Sequence, residues 1–336
     1  MDLYTIWFIL VAILFTGFFL LEGFDYGVGM LLPFLGKGDE ERRMIINTIG
    51  PVWDGNEVWM ITAGGALFAS FPQVYATLFS GFYLVMILLL FALILRGVGF
   101  EFRGKGEKKT WRGFWDWAIF TGSFVPAFLW GAAIGNLMRG FAIGPDMNYY
   151  GGILPLLNPY ALLGGVVFVS LFVLHGANYL TRKTTGSLLE KVQKVVFPAW
   201  IITTILAVGF LLWSILTNDI LSKLQGIIPG VLGVAALLIT GYFIRSRKMG
   251  WGFVMGSLTI LFLSAMIFAG LYPRILISSY DPSLSLTITN ASSSHYTLKV
   301  MSIVAAIFVP IVILYQIWAY RVFRERVGDK KEKMVY

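Results

Sequence analysis

The hydrophobic residues of this chain are gathered into long apolar stretches that short polar segments separate. A helix needs about 20 mostly apolar residues to cross a membrane. Nine stretches approach or exceed that length, at residues 3–35, 48–71, 74–96, 114–138, 160–181, 195–217, 227–245, 252–272 and 300–320. The pattern predicts an all-α polytopic membrane protein with nine transmembrane helices.

The composition excludes several other classes of protein. Only 13% of the residues are charged and 57% are hydrophobic, whereas soluble domains carry about 25% charged residues. A soluble enzyme would expose this apolar surface, and a disordered chain needs the opposite composition. The chain has no cysteine, so it forms no disulfide, iron–sulfur cluster or thiolate zinc site. His175 and His295 are its only histidines, too few for a multi-histidine metal centre within this chain.

The basic residues predict how the chain is oriented in the membrane. With the N-terminus outside, the inner segments 36–51, 96–113, 182–194, 245–250 and 321–336 hold 22 of the 26 lysines and arginines. The outer segments hold only four, which are Arg139, Lys223, Arg274 and Lys299. Since cytoplasmic loops are rich in these residues, we expect a cytoplasmic C-terminus. The net charge of +8 therefore reflects topology, and we expect no nucleic acid as a partner.

Two short segments resemble each other and indicate an internal repeat. Leu21–Tyr26 reads LEGFDY and Leu174–Tyr179 reads LHGANY, and a Pro-x-Trp triplet follows each of them, at Pro51 and Pro198. Internal repeats are common in membrane proteins. We expect two four-helix units, residues 1–138 and 139–272, then an outer loop, 273–299, and a peripheral ninth helix with a cytoplasmic tail, 300–336. A chance similarity is the alternative.

Acidic residues inside the apolar stretches are the main candidates for chemistry, because a charge in the bilayer is costly. Glu22 and Asp25 are three residues apart on the first predicted helix, and Asp54 and Glu57 repeat that spacing on the second. Residues at this spacing share a helix face. We expect the four carboxyl groups to share a polar pocket in the cytoplasmic half of the membrane. They either transfer protons or hold helices together by hydrogen bonds.

Four other residues are candidate supporting residues for this pocket. Trp53 precedes the second acidic pair and Asn56 lies within it, and Asp116 stands between two tryptophans, where an interfacial position is expected. His175 aligns with Glu22 in the repeat. Three interpretations of its role are open: a haem ligand, a proton relay, or a hydrogen bond to a neighbouring group. We expect no haem ligand and no metal ligand in this chain.

Two motifs give the chain a family resemblance. Residues 21–29 read LEGFDYGVG and residues 53–59 read WDGNEVW. Both resemble the motifs LEGFD[FY]GVG and WDGNEVW of subunit II of the bacterial cytochrome bd quinol oxidases. The length, the nine predicted helices and the outside N-terminus also fit that family.

The resemblance implies a function that the composition could not. Such a complex oxidises quinol at the outer face of the bacterial cytoplasmic membrane and reduces oxygen to water with cytoplasmic protons. It implies that a partner, subunit I, carries two haems b and one haem d, and that this chain holds no haem. One or more very small accessory subunits and membrane lipids are further expected partners. Some family members bind a quinone within subunit II, which leaves that cofactor open here.

The resemblance also implies a role for the acids of the two motifs, which are thought to lead protons through the subunit interface. That role falls first on Asp25 and Asp54, and then on Glu22 and Glu57. Two alternatives remain from the residues alone: an independent proton-coupled secondary transporter, and a scaffold subunit that conducts no protons.

Overall fold

The described part of the chain folds into eleven α-helices, most of them joined by short connections. The structure, a computed structural model, describes residues 2–328. In chain order the helices are α1 Leu3–Leu35, α2 Asp39–Ile49, α3 Trp53–Ser70, α4 Pro72–Gly81, α5 Tyr83–Phe102, α6 Lys109–Arg139, α7 Pro159–Lys183, α8 Gly186–Thr217, α9 Leu224–Arg245, α10 Met249–Leu271 and α11 His295–Val322. The prediction of an all-helical polytopic membrane protein is confirmed. The predicted tail lies partly outside the described residues, at 329–336.

Within residues 2–328, eight helices are long and apolar enough to cross a membrane: α1 and α5 to α11. The helix α3 is not among them, because its first turn holds Asp54, Asn56 and Glu57. The predicted second and third spans are also interrupted. The chain turns at Gly50–Val52 between α2 and α3, and the third span is divided at Phe82 into α4 and α5. The count of nine spans therefore stays a prediction.

The connections lie at two opposite ends of the helix bundle. We call one the strand end (residues 140–158, 218–223 and 272–294). There β1, Arg274–Leu276, pairs antiparallel with β2, Leu286–Thr287, and Arg274 forms an ion pair with Asp219 at 2.8 Å. We call the other the basic end (residues 36–52, 103–108, 184–185, 246–248 and 323–328). There Lys191 on α8 binds Glu41 on α2 at 2.6 Å.

Although α3 is partly polar, its two ends contact opposite ends of the bundle. The Trp53 ring lies 5.0 Å from the ring of Phe100, near the C-terminal end of α5 at the basic end. The carbonyl of Ser70 accepts a hydrogen bond from the Ser293 amide at the strand end, at 2.9 Å. The helix α3 therefore runs the length of the bundle beside α1.

The two repeat motifs meet where α1 packs against α7. A Cβ atom added to Gly27 would overlap the carbonyl oxygen of Phe172 and lie 2.9 Å from the Cα of Gly176. The ring of Phe24 stacks on that of Tyr179 at 4.2 Å. Small residues let transmembrane helices approach this closely. The contact positions the acids of the first motif at the centre of the bundle.

Candidate functional site

A fully buried arginine lies at the centre of the predicted acidic pocket. Arg96 on α5 forms ion pairs with Glu22 on α1, by a short contact, and with Glu57 on α3, at 3.5 Å. The side chains of Arg96 and Glu22 are completely removed from solvent. Burying a charge costs several kcal/mol unless an opposite charge compensates it. The arginine therefore explains how two glutamates are held inside an apolar bundle.

Aromatic rings surround the guanidinium group of Arg96. Its central carbon lies 4.8 Å from the ring centre of Tyr26, 5.4 Å from that of Phe100 and 6.0 Å from that of Trp53. The faces of aromatic rings attract cations at these distances. Trp53, a predicted supporting residue, thus packs beside the acids. The rings and the two glutamates fix the position of the guanidinium group.

Asp25 is the buried acid that a neutral group holds. Its Oδ2 accepts a hydrogen bond from the Asn56 amide at 2.6 Å. Among the described residues, its Oδ1 has no hydrogen-bond partner. Asn56, a predicted supporting residue, is itself fully buried on α3. Asp25 therefore has one carboxylate oxygen fixed and one open to exchange a hydrogen bond.

The Asn56 amide connects Asp25 to the last helix. Its Oδ1 accepts hydrogen bonds from Tyr320 Oη at 2.8 Å and from Gln316 Nε2 at 3.1 Å, both on α11. Gln316 Oε1 in turn accepts one from Trp59 Nε1 at 2.8 Å. Most of α11 is otherwise exposed. A continuous polar chain thus runs from α1 through α3 to α11.

Asp54 lies outside the pocket, which corrects the prediction that four carboxyl groups share it. Its side chain is exposed, whereas Asn56 is buried and Glu57 is partly buried. The inward face of α3 continues through Ala63 and Leu67. Asp54 lies on the side of the helix away from Asn56, because successive residues of a helix turn by about 100°. Asp54 and Glu57 are still neighbours on the helix surface, but only Glu57 reaches Arg96.

Asp116 is fully buried, which corrects the expectation that it lies at the membrane interface. Its carboxylate accepts hydrogen bonds from Arg103 Nε at 2.6 Å and from Arg42 Nη1 at 2.7 Å. Arg103 and Arg112 also bind Asp39 on α2, at 2.9 and 2.7 Å. These ion pairs fasten α2 to α6 at the basic end. Asp116 thus belongs to a separate ionic cluster.

His175 and Asn178 form a third buried polar site, on the second repeat motif. His175 Nε2 lies 3.0 Å from the carbonyl oxygen of Leu20, and Phe253 stacks on the ring at 4.9 Å. These contacts leave no open position at Nε2 for a haem iron. A Cβ atom added to Gly256 would lie 3.8 Å from His175 Nδ1 and 3.7 Å from Asn178 Nδ2. Neither of these two atoms has a hydrogen-bond partner within the described residues.

No cluster of three or more histidine, cysteine, aspartate or glutamate side chains is arranged to hold a metal ion within residues 2–328. Arg96 is the residue of this candidate site that the sequence alone did not single out. It is the last residue of the third predicted span and the first residue of the predicted inner segment 96–113. Its position at the end of an apolar run of α5 was the available signal.

Three comparisons relate the chain to known proteins. The family described as cytochrome bd terminal oxidase subunit II matches residues 3–323. The chain is 45% identical to the cytochrome bd ubiquinol oxidase subunit 2 of Bacillus subtilis, over 100% of this chain and 99% of that protein. It is 41% identical to the cytochrome bd-I ubiquinol oxidase subunit 2 of Escherichia coli K12, over 94% of this chain and 92% of that protein.

The fold is similar to that of a solved oxidase. A chain of the bd oxidase from Geobacillus thermodenitrificans superposes with a TM-score of 0.79 over 96% of this chain and 99% of that chain. The two sequences are only 16% identical, so this likeness concerns the fold.

Proposed function

Because the chain belongs to the cytochrome bd terminal oxidase subunit II family, we propose that it helps to deliver protons to the oxygen-reduction site of its complex. The chain is a subunit of a bd-type quinol oxidase in a bacterial membrane, and a subunit I is its partner. This membership replaces the alternative of an independent transporter. The alternative of a scaffold that conducts no protons remains to be tested.

The observation that carries the proposal is the different bonding of the buried acids. Arg96 holds Glu22 and Glu57 by ion pairs, whereas Asp25 bonds the neutral Asn56 amide. A carboxyl group that transfers protons needs an oxygen that is free to change partner. Asp25 Oδ1 is such an oxygen. Glu22 Oε2 also lacks a hydrogen-bond partner within the described residues, but the Glu22 carboxylate is paired with Arg96. We assign proton transfer to Asp25 and the fixing of its surroundings to Arg96, Glu22 and Glu57.

Asp54 takes a different place in this proposal. It is exposed on α3, on a helix that also exposes the large side chains of Ile61 and Phe68. An apolar face of this kind needs lipid or another subunit to cover it. We assign Asp54 to the interface with subunit I, where it would exchange protons between the subunits.

The haems belong to subunit I in this proposal, as two haems b and one haem d. The buried ring of His175 is bonded at Nε2 to α1 and stacked by Phe253, so it serves packing in the second repeat motif. Very small accessory subunits are also part of the proposed complex. The intact mass of the purified complex would count them directly.

A quinone within this chain would fit an apolar cleft of about 760 Å³ beside α1 and α10. Leu261 and Phe268 line it, and Thr5, Gln225 and Tyr272 are polar groups at the strand end. Solvent extraction of the complex followed by mass spectrometry tests this. Leu261→Trp should reduce the bound quinone, and an unchanged quinone content would place it elsewhere.

We further propose nine crossings, with α3 as the crossing that its polar first turn obscures, and with the basic end in the cytoplasm. We also propose that the chain is divided into two four-helix units, 1–138 and 139–272, which α11 follows. The contact between the two repeat motifs, on α1 and α7, supports this division.

The absence of cysteine makes a labelling test of the orientation direct. In sealed cells, a membrane-impermeant thiol reagent should label Lys299→Cys and not Lys105→Cys, and the reverse result would invert the orientation.

Steady-state oxygen consumption of the purified complex tests the proposed function. Asp25→Asn should lower turnover by at least about tenfold, the scale of a lost proton-transfer group, with haem absorption unchanged. Asp281→Asn, an exposed carboxyl at the strand end, is the matched control and should leave turnover intact. Normal turnover in an assembled Asp25→Asn complex would contradict proton transfer by Asp25 and would favour the alternative of a scaffold that conducts no protons.

A further inference from the structure

A polar cleft opens at the basic end, away from the buried acids and from the face that carries Asp54. It has a volume of about 730 Å³ and lies where α8 passes the turn between α9 and α10. The side chains that line it are Glu190, Gln193, Lys194, Phe197, Ile244, Arg245, Arg247 and Met249. The cleft thus combines charged groups with an apolar wall.

Three cations face this cleft and one anion accompanies them. Lys194, Arg245 and Arg247 are exposed, and within residues 2–328 the ion pairs at 4 Å or less include none of them. Glu190 also lines the cleft, one helical turn before Lys194. The lining therefore carries a formal charge of +2, which favours an anion.

One of these cations, Arg247, lies on a backbone conformation that is unfavourable for a residue with a side chain. Arg247 has φ of 57°, in the left-handed region that glycine adopts most readily. Its amide bonds the Ile244 carbonyl at 3.0 Å and the next amide bonds that of Phe243 at 2.9 Å, which closes α9 at a position where glycine is usual. An arginine here directs a guanidinium group to the cleft although glycine would suit the turn better.

Aromatic side chains mark the depth of this cleft in the membrane. Tyr242 and Trp251 flank the turn and are 63% and 57% exposed. Tyrosine and tryptophan are enriched where a membrane meets water. The cations therefore lie at the level of lipid headgroups, and Phe197, Ile244 and Met249 lie where acyl chains begin.

We propose that this cleft binds the phosphate of an anionic phospholipid. Lys194, Arg245 and Arg247 contact the phosphate oxygens, and the apolar wall contacts the upper acyl chain. Basic pockets between transmembrane helices bind such headgroups. The net positive lining selects a lipid with a net negative headgroup over a zwitterionic one, because only the former gains from the uncompensated charge.

Native mass spectrometry of the purified complex with its subunit I measures this binding. Phosphatidylglycerol should bind more tightly than phosphatidylcholine, and inorganic phosphate should not displace it. The triple variant Lys194→Gln, Arg245→Gln, Arg247→Gln should weaken phosphatidylglycerol binding by at least about tenfold, given the attraction of each basic residue. Displacement by inorganic phosphate would show an anion site without lipid specificity and would overturn the proposal.

A charge-matched control separates this site from a general effect of positive charge. Lys105→Gln, Lys108→Gln and Lys109→Gln remove three exposed cations at the same end of the bundle and should change the affinity by less than about twofold. An equal loss in both triple variants would overturn the proposal.

Two variants of Arg247 guard against a folding artefact. Arg247→Gly relieves the left-handed backbone, so the complex should keep its melting temperature while its affinity for phosphatidylglycerol falls. Arg247→Lys retains the charge and should retain the affinity. Unchanged binding in Arg247→Gly would show that the guanidinium group does not contact the lipid.

Discussion

Arg96 on α5 and Glu22 on α1 form an ion pair in which both side chains have no solvent exposure. The pair joins two helices at the centre of an apolar bundle, and Glu57 on α3 approaches the same guanidinium nitrogen. This arrangement leaves Asp25, one turn along α1, bonded to a neutral amide. The stability of the pocket and the freedom of Asp25 therefore depend on one arginine.

Removing the charge of Arg96 should destabilise the complex strongly. Arg96→Gln leaves buried glutamates without a cation, which costs about 3–5 kcal/mol of unfolding free energy. The melting temperature of the purified complex measures this loss. The double variant Glu22→Gln, Arg96→Gln should recover part of it, and Arg324→Gln, an exposed arginine, should change nothing. A melting temperature equal to the wild type in Arg96→Gln would contradict the ion-pair description.

The hydrogen bond of Tyr320 should hold α11 against α3. Tyr320→Phe removes the donor to Asn56 and should cost about 1 kcal/mol, seen as faster hydrogen exchange in α11. Tyr315→Phe is the matched control on the same helix, because Tyr315 is 65% exposed. Equal exchange rates in the two variants would show that the bond does not anchor α11.

The close contact of α1 with α7 should not tolerate a methyl group. Gly27→Ala would place a Cβ against the Phe172 carbonyl, so the helices must separate and the yield of assembled complex should fall. Gly209→Ala on α8 is the control, since its Cβ would meet no atom within 4 Å. That change should stabilise the helix by up to about 1 kcal/mol. A normal yield for Gly27→Ala would contradict the close packing of α1 against α7.

The attachment of α2 to α8 should weaken in acid. The hydrogen bonds from Lys191 hold the pKa of Glu41 below its usual value, which is about 4.3 in an unfolded chain. A carboxyl group with a lowered pKa stabilises the folded state above that usual value, and the contribution is lost as pH falls through the folded pKa. Hydrogen exchange in α2 should therefore rise in this acid range. The Glu41→Gln variant should not show this rise of hydrogen exchange in acid. A rise of the same size in that variant would assign the effect to another titrating group.

The sequence predicts the helical membrane fold well because each crossing must satisfy its own backbone and present an apolar surface. It is less informative where polar groups pair across helices. The polar start of α3 makes this helix too polar to count among the apolar membrane-crossing helices. The two ends of α3 nevertheless contact opposite ends of the bundle. Asp54 and Glu57 look equivalent in spacing, yet only Glu57 reaches Arg96, because the facing of α3 depends on its packing against α1.

Two charged residues show that the sequence alone does not reveal which charges are buried. Arg96 and Asp116 both stand near the ends of apolar stretches, where exposed interfacial side chains are common. Each is buried because a partner from a distant segment meets it: Glu22 for Arg96, and Arg103 with Arg42 for Asp116. No local pattern encodes those partners. The motif resemblance singled out these acids as candidates, and the structure separates Asp25, which is bonded to a neutral amide, from Glu22 and Glu57, which are held by ion pairs.

Time-resolved proton uptake during a single turnover of the purified complex tests the central role of Asp25 most directly. The fully reduced complex is mixed with oxygen while a pH indicator follows proton uptake and haem absorption follows electron transfer. In Asp25→Asn, proton uptake should slow by at least about tenfold, the scale of a lost proton-transfer group, and oxygen reduction should slow with it while the haem spectrum stays unchanged. Proton uptake at the wild-type rate in that assembled variant would contradict proton delivery through Asp25.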